Sequence, residues 1–139
     1  MSHLTTIKTQ IKDRECLLKA LRETLPNTEI AASEHSTANN ITSIGFNRSQ
    51  NRLCNIVARK AGGYNTDIGF QYQDESQNYS IVTDHYTPEA LIGSIKKNYV
   101  KATAESFAAK KGMKMTTKIC PTTNKTIYTL TKQAITTRR

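Results

Sequence analysis

Residues 67–89, DIGFQYQDESQNYSIVTDHYTPE, contain the most informative pattern for the fold. Two alternating stretches are joined by a polar turn and followed by the start of a helix. In the first stretch Ile68, Phe70 and Tyr72 alternate with small or polar residues, which is the period of a strand. Residues 79–84, after the turn, are predicted to return as a second strand. The two strands are therefore predicted to form a β-hairpin.

The helix that follows has the clearest start signal in the chain, Thr87-Pro88-Glu89. A threonine hydroxyl can cap a helix, proline suits its first position, and an acidic residue is favourable near the positive end of the helix dipole. We therefore predict a long helix that begins here and ends at Gly112. Its apolar stripe comprises Leu91, Ile92, Ile95, Tyr99 and Ala102, and Phe107 extends it slightly off register.

The chain before residue 67 is predicted to contain a shorter helix and several strands. Asp13 can cap this helix, which runs to Leu25 and is stopped by Pro26. Its apolar stripe consists of Leu17, Leu18, Leu21 and Leu25. The predicted strands span residues 3–11, 28–33, 41–46 and 53–60, and a glycine turn at residues 61–65 ends the last of them.

The chain after the long helix is predicted to form a closing β-hairpin. Residues 113–120 alternate, residues 121–124 make a turn, and alternation resumes from Thr126. Residues 134–139 are expected to be a frayed tail. The order of elements predicts one α+β domain over residues 1–133, a two-layer sandwich with both helices packed on one face of a mostly antiparallel sheet.

Composition limits the class of protein. A chain of 139 residues suits one domain, and a net charge of +9 with 37% hydrophobic residues predicts a soluble, basic protein. The apolar runs are far shorter than the ~20 residues that a membrane helix needs, so we expect no membrane insertion. The first eleven residues lack the charged start and apolar middle of a secretory signal.

The positive charge is concentrated in one part of the chain. Residues 1–89 contain 9 basic and 10 acidic side chains, whereas residues 90–139 contain 11 basic side chains and one acidic, Glu105. On the long helix, Lys97, Lys101 and Lys111 share the face away from the apolar stripe, with Lys96 and Lys110 beside it. These lysines could bind the phosphates of RNA or DNA, or an acidic protein.

The simpler interpretation of these lysines is a solvated helix face in a lysine-rich chain. Aromatic residues are sparse there, since only Tyr99, Phe107 and Tyr128 occur in that half and the first two are assigned to the core. Base stacking on an aromatic platform is therefore not predicted.

Familiar catalytic and cofactor motifs are missing. The sequence has no GxGxxG, P-loop or GxSxG motif. His3, His35 and His85 are widely separated and have no cysteine at ligand spacing, so neither a metal site nor a cofactor is predicted.

Asp84-His85-Tyr86 is the most suggestive cluster, because an acid, an imidazole and a phenol can share proton transfer. Neighbouring residues on a strand point to opposite faces, so Asp84 and His85 could cooperate only where the strand has ended. The simpler interpretation is a polar loop that leads into the long helix.

The number and spacing of the cysteines predict a role in packing and no catalytic role. Cys16, Cys54 and Cys120 are odd in number, form no CxxC pair and have no base nearby in the sequence. We expect reduced thiols without a catalytic role.

Residues 1–11, MSHLTTIKTQI, closely resemble the start of the hypothetical chloroplast reading frame 35 family of cyanobacteria and algal plastids. Asp67-Ile68-Gly69-Phe70, the strand ending at Asp84, and the long Tyr99-bearing helix with its terminal hairpin also look alike in order. The resemblance implies a protein of the plastid stroma, encoded in an algal plastid genome. The abundance of Lys, Asn and Ile agrees with such a genome. The resemblance brings no activity, cofactor or catalytic residue.

Three functions remain open at this point. The first is a non-enzymatic accessory or binding protein of the plastid stroma with an unknown partner. The second is a nucleic-acid-binding factor that uses the lysine-rich helix and hairpin. The third is an enzyme whose site is assembled near Asp84, His85 and Tyr86 or at a cysteine.

Overall fold

The computed structural model describes residues 4–7, 9–34, 40–44, 51–84 and 87–132. This part of the chain contains two α-helices, nine strands and one short 3-10 helix, Gly63–Asn65. The elements are β1 (Leu4–Ile7), α1 (Arg14–Thr24), β2 (Ile30–Ala32), β3 (Ile41–Ile44), β4 (Asn51–Cys54), β5 (Ile56–Ala58), β6 (Ile68–Gln73), β7 (Asn78–Asp84), α2 (Glu89–Lys111), β8 (Met113–Ile119) and β9 (Thr126–Lys132).

The central sheet has five antiparallel strands in the order β1-β7-β6-β5-β2. The β6–β7 hairpin lies at its centre, and Phe70 pairs with Ile81 in its register. This hairpin confirms the strand, turn and strand that the sequence predicts for residues 67–84. Two further ribbons, β3–β4 and β8–β9, lie outside the central sheet.

One face of the central sheet packs against both helices, which confirms the predicted α+β fold. Ile68, Phe70 and Ile81 are buried on this face together with residues of α1 and α2. The opposite face buries a smaller cluster, Val57 and Val82, under the β3–β4 ribbon. Alternation within each strand therefore supplies two cores of different size.

Close contact across the smaller core requires a glycine in β6. A Cβ atom added to Gly69 would lie 2.6 Å from the sulfur of Cys54 and 2.9 Å from the hydroxyl of Ser43. Both distances are too short for real atoms, so the absence of a side chain at Gly69 lets the β3–β4 ribbon approach the sheet.

Helix α1 begins as the sequence predicts. The carboxylate of Asp13 accepts a hydrogen bond of 3.0 Å from the backbone N–H of Cys16, which satisfies a free donor of the first turn. Leu17, Leu18 and Leu21 are buried, and Leu25, just after the last turn, packs against the same core.

Helix α2 confirms the predicted stripe and the predicted stop. Ile92, Ile95, Tyr99 and Ala102 are buried, and Leu91 packs beside them. Gly112 follows the last turn with φ of 62°, in the left-handed conformation that glycine adopts at lowest cost.

Two predictions for α2 are wrong. Thr87 does not cap the helix: Pro88 is the N-cap residue, and the Thr87 hydroxyl is buried without a hydrogen-bond partner among the described residues. Thr87 packs instead on the loop before β6, where a Cβ added to Gly62 would lie 2.9 Å from its hydroxyl. Phe107 is 48% exposed, because it is rotated about 80° around the helix from Tyr99.

The predicted strand over residues 53–60 is in fact two strands, β4 and β5, which belong to different sheets. Asn55 separates them. Its side-chain oxygen accepts a 2.6 Å hydrogen bond from the N–H of Tyr72, and its carbonyl accepts one of 2.8 Å from Ser33. These bonds stabilise the bend at which the chain passes from the β3–β4 ribbon into the central sheet.

Strand β1 is shorter than predicted. It ends at Ile7, and Thr9 and Ile11 lie in the loop that leads to α1. The hydroxyl of Thr9 accepts a hydrogen bond from the N–H of Ile11, an arrangement that favours a turn over continued pairing.

The terminal hairpin β8–β9 confirms the prediction, and it packs on α2. Its inner face carries Met113, Met115, Tyr128 and Leu130, which are half-buried, while Lys114, Thr116 and Lys118 lie on the exposed outer face. The predicted tail, residues 134–139, lies outside the described residues. Neither α1 nor α2, the helices of the described part, has the length and apolar character needed to cross a membrane.

Candidate functional site

Four of the five lysines singled out on α2 are exposed. Lys96 and Lys97 lie in the middle of the helix, and Lys110 and Lys111 lie in its last turn, where positive charge is favourable next to the helix dipole. None of the four has a hydrogen-bond or ion-pair partner among the described residues. Their charges are therefore available to a partner.

Lys101 differs from the other four lysines because it forms an ion pair within the molecule. Its Nζ atom donates a 2.6 Å hydrogen bond to Oε1 of Glu23 on α1. This bond and the negative charge of Glu23 raise the pKa of Lys101. We therefore assign Lys101 to the contact between the two helices.

The hairpin contributes three more exposed lysines, which the sequence analysis did not single out. Lys114 and Lys118 are on the outer face of β8, and Lys125 follows the turn. The signal that could have found them is the predicted hairpin itself, since it folds the chain back along α2. We refer to the exposed lysines of both elements together as the basic surface: Lys96, Lys97, Lys110, Lys111, Lys114, Lys118 and Lys125.

A groove separates α2 from the hairpin. Its volume is about 330 Å³. Lys97 and Val100 come from the helix, Lys125 comes from the hairpin turn, and Tyr128 comes from the inner face of β9. The groove thus places two unpaired lysines beside an apolar side chain and an aromatic ring. Its lining is completed by Asn124 and Thr126.

Exposed apolar side chains are interspersed with these lysines. Val100 and Phe107 lie on the solvent side of α2, and Ile119 and Ile127 lie near the end of the hairpin. Because Phe107 is exposed and Tyr128 is half-buried, the lysine-rich half presents more aromatic surface than its sequence suggested.

The Asp84-His85-Tyr86 cluster is described only at its first member. Asp84 is the last residue of β7 and is 1% exposed. It lines a cavity of about 440 Å³ together with Thr87, Glu89 and Lys96. His85 and Tyr86 lie outside the described residues, so the structure tests neither the simpler interpretation of a polar loop nor the alternative that the three cooperate.

The three cysteines are free thiols in different surroundings. Burial raises the pKa of Cys16 and raises that of Cys54 to about 12, which keeps both thiols protonated near neutral pH. Cys120 lies just after β8 and is half-exposed, in contrast to the predicted strand position. Hydrogen bonds from Thr123 and Thr122 lower its pKa.

Asp67 is a buried carboxylate that the sequence analysis did not single out. Oδ2 accepts hydrogen bonds from the N–H of Ile44 at 2.9 Å and from Nη1 of Arg59 at 3.0 Å, and Oδ1 accepts one from the N–H of Lys60 at 2.9 Å. Its polar atoms are used to hold β3 and the end of β5 against the start of β6. We therefore interpret Asp67 as structural.

Metal ligands are not grouped in the part of the chain that the structure describes. There, no three His, Cys, Asp or Glu side chains lie close enough together to hold an ion.

Comparison of the chain with models of protein families, with curated proteins and with solved structures gave no match. The resemblance of its first residues to the chloroplast reading frame family therefore stays a prediction.

Proposed function

We propose that this protein binds nucleic acid without catalysis, through contacts between the basic surface and phosphate groups. The observation that carries the proposal is the unpaired state of these lysines. Residues 90–139 contain one acidic residue, Glu105, and its Oε1 atom lies 3.8 Å from Nζ of Lys19 on α1. Lys101 is paired with Glu23. The lysines of the basic surface make no ion pair or side-chain hydrogen bond with the described residues.

Phosphate contacts account for this distribution of residues. Lysine side chains on an exposed helix face and a hairpin can follow a phosphate backbone and displace its counterions, which supplies affinity without sequence selection. We expect binding to depend little on sequence and to weaken steeply as salt rises, with a log–log slope near −0.9 for each phosphate neutralised on duplex DNA.

The test is a salt titration of RNA and DNA binding by the purified protein, followed by fluorescence anisotropy. Reversal of Lys110 and Lys111 to Glu should weaken binding and flatten the salt slope. The matched control reverses Lys12 and Lys60, two exposed lysines outside the basic surface, and changes the net charge equally. An equal loss of affinity for nucleic acid in both double variants would refute the proposal. Absence of binding by the natural chain at about 50 mM salt would refute it as well.

A second candidate function is an accessory protein that binds an acidic protein. The exposed apolar residues Val100, Phe107, Ile119 and Ile127 favour it, because protein interfaces combine apolar contacts with complementary charge. Binding to an acidic protein should depend on Phe107 and Ile127, whereas binding to phosphates should not. Replacement of both by Ser, assayed first against nucleic acid and then against proteins retained from the source organism, separates the two functions.

The location is part of the proposal as well. The resemblance of the first residues implies the plastid stroma. Fractionation of the source organism with an antibody to this chain tests the location, and recovery outside plastids would exclude it.

A further inference from the structure

The groove between α2 and the β8–β9 hairpin suggests how the proposed partner is held. Lys97 extends from the helix and Lys125 from the hairpin turn, and Val100 and Tyr128 line the same groove. We propose that this groove holds one nucleotide of a single strand, with its phosphate between the two lysines and its base against Tyr128. This inference rests on the proposed function, since it specifies which nucleic acid the basic surface binds.

The backbone on both sides of the groove is fixed before any ligand arrives. Lys97 lies in the middle of a 23-residue helix. On the other side, the N–H of Cys120 donates a 2.8 Å hydrogen bond to the carbonyl of Lys125, and the N–H of Asn124 donates one of 2.7 Å to the carbonyl of Cys120. Asn124 has φ of 59°, a left-handed conformation that asparagine tolerates and that closes this turn.

A fixed backbone lowers the cost of binding, because only the two lysine side chains have to be ordered. Neither lysine has an internal partner among the described residues. The side chains that line the groove include no acid, and those of Asn124 and Thr126 add hydrogen-bonding groups. This combination favours an anionic group at the groove over a cation.

The ring of Tyr128 favours a single strand over a duplex as the ligand of the groove. An unpaired base can leave its neighbours and stack on tyrosine, whereas a base inside a duplex has both faces covered. A groove of about 330 Å³ lies at the small end of ligand pockets, which suits one nucleotide. We therefore expect single strands to bind more tightly than duplexes of the same length.

The experiment compares a fluorescent oligouridine with a duplex of equal length at one salt concentration. The natural chain should bind the oligouridine about tenfold more tightly than the duplex. Replacement of Lys97 and Lys125 by Ala should remove most of this difference and lower the single-strand salt slope by about 0.7, the value for one phosphate. Replacement of Lys114 and Lys118 by Ala, an equal change of charge on the outer face of the hairpin, should leave the difference intact.

The ring is tested separately. Tyr128→Phe keeps an aromatic ring and should keep the single-strand preference, whereas Tyr128→Leu should lose it while the thermal melt shows a folded chain. Equal binding of single strands and duplexes by the natural chain would overturn the inference, as would an equal loss of the single-strand preference in the two double-lysine variants. In both cases the proposed function survives; loss of all binding by the natural chain would instead refute the proposed function.

Discussion

The hydroxyl of Tyr99, in the middle of α2, accepts a 3.0 Å hydrogen bond from the backbone N–H of Asp13, the residue that caps α1. The same hydroxyl accepts a second bond of 3.0 Å from the N–H of Lys12. A single side chain on one helix therefore satisfies the two backbone donors that lead into the other helix. The ring of Tyr99 is buried in the core below this contact.

Removal of this hydroxyl should destabilise the fold. Tyr99→Phe leaves two partly buried N–H groups without their acceptor, which should lower the free energy of unfolding by about 1 to 3 kcal/mol. Tyr128→Phe is the control, because the hydroxyl of Tyr128 makes no hydrogen bond to the described residues. Urea denaturation of both variants measures the effect, and equal midpoints would contradict the role of Tyr99.

Ile95 should be far more sensitive to charge than its neighbours on the exposed side of α2. It is 0% exposed, so Ile95→Asp would bury an unpaired carboxylate at a cost of several kcal/mol, comparable with the stability of a marginal domain. Val100, at 51% exposed, should accept Asp with little loss. Thermal melts followed by circular dichroism compare the two variants, and an unchanged melting temperature for Ile95→Asp would refute the predicted stripe.

Asp67 should prove important for stability and not for binding. Asp67→Asn keeps the shape but removes the negative charge opposite Arg59 and an acceptor of the buried N–H bonds, at a cost of about 3 kcal/mol. Asp74→Asn, in the exposed turn between β6 and β7, should cost almost nothing. Denaturation midpoints give the first comparison. A variant of Asp67 with normal stability and impaired nucleic-acid binding would reverse this assignment.

Cys54 should make the protein less stable in alkali. Burial raises the pKa of its thiol from 9.0 to about 12, so the folded chain keeps a proton that the unfolded chain releases. The contribution of the protonated Cys54 thiol to the free energy of unfolding is complete below pH 9. It is lost as the pH rises toward 12, by up to about 1.4 kcal/mol per pH unit.

Lysines and tyrosines titrate in the same interval, so the quantity to measure is the difference between the natural chain and Cys54→Ala. Unfolding free energies from pH 8 to pH 11 should fall more steeply for the natural chain. Parallel curves would show that the thiol of Cys54 is not protected by burial.

The sequence alone was sufficient to predict the elements in which buried residues recur with the period of a strand or a helix. The alternation of Ile68, Phe70 and Tyr72, the leucine stripe of α1, and the stop of α2 at Gly112 are all as predicted. In each case the residues concerned are close in the chain, and the periods of strand and helix convert their spacing directly into a shared face.

Several particular contacts between residues distant in the chain became known only from the folded structure. The bend at Asn55 requires acceptors and donors from two other segments, and the burial of Thr87 requires the loop at Gly62. Lys97 and Lys125 are far apart in the sequence, and they line the same groove because the last hairpin folds back on α2. The amino-acid sequence thus determined which residues carry charge, while the packing of the hairpin on the helix determined which charges stay free and which two lie on either side of a groove. Helix and strand periods act over a few residues, whereas ion pairs and grooves are formed by contacts between elements that the chain order does not bring together.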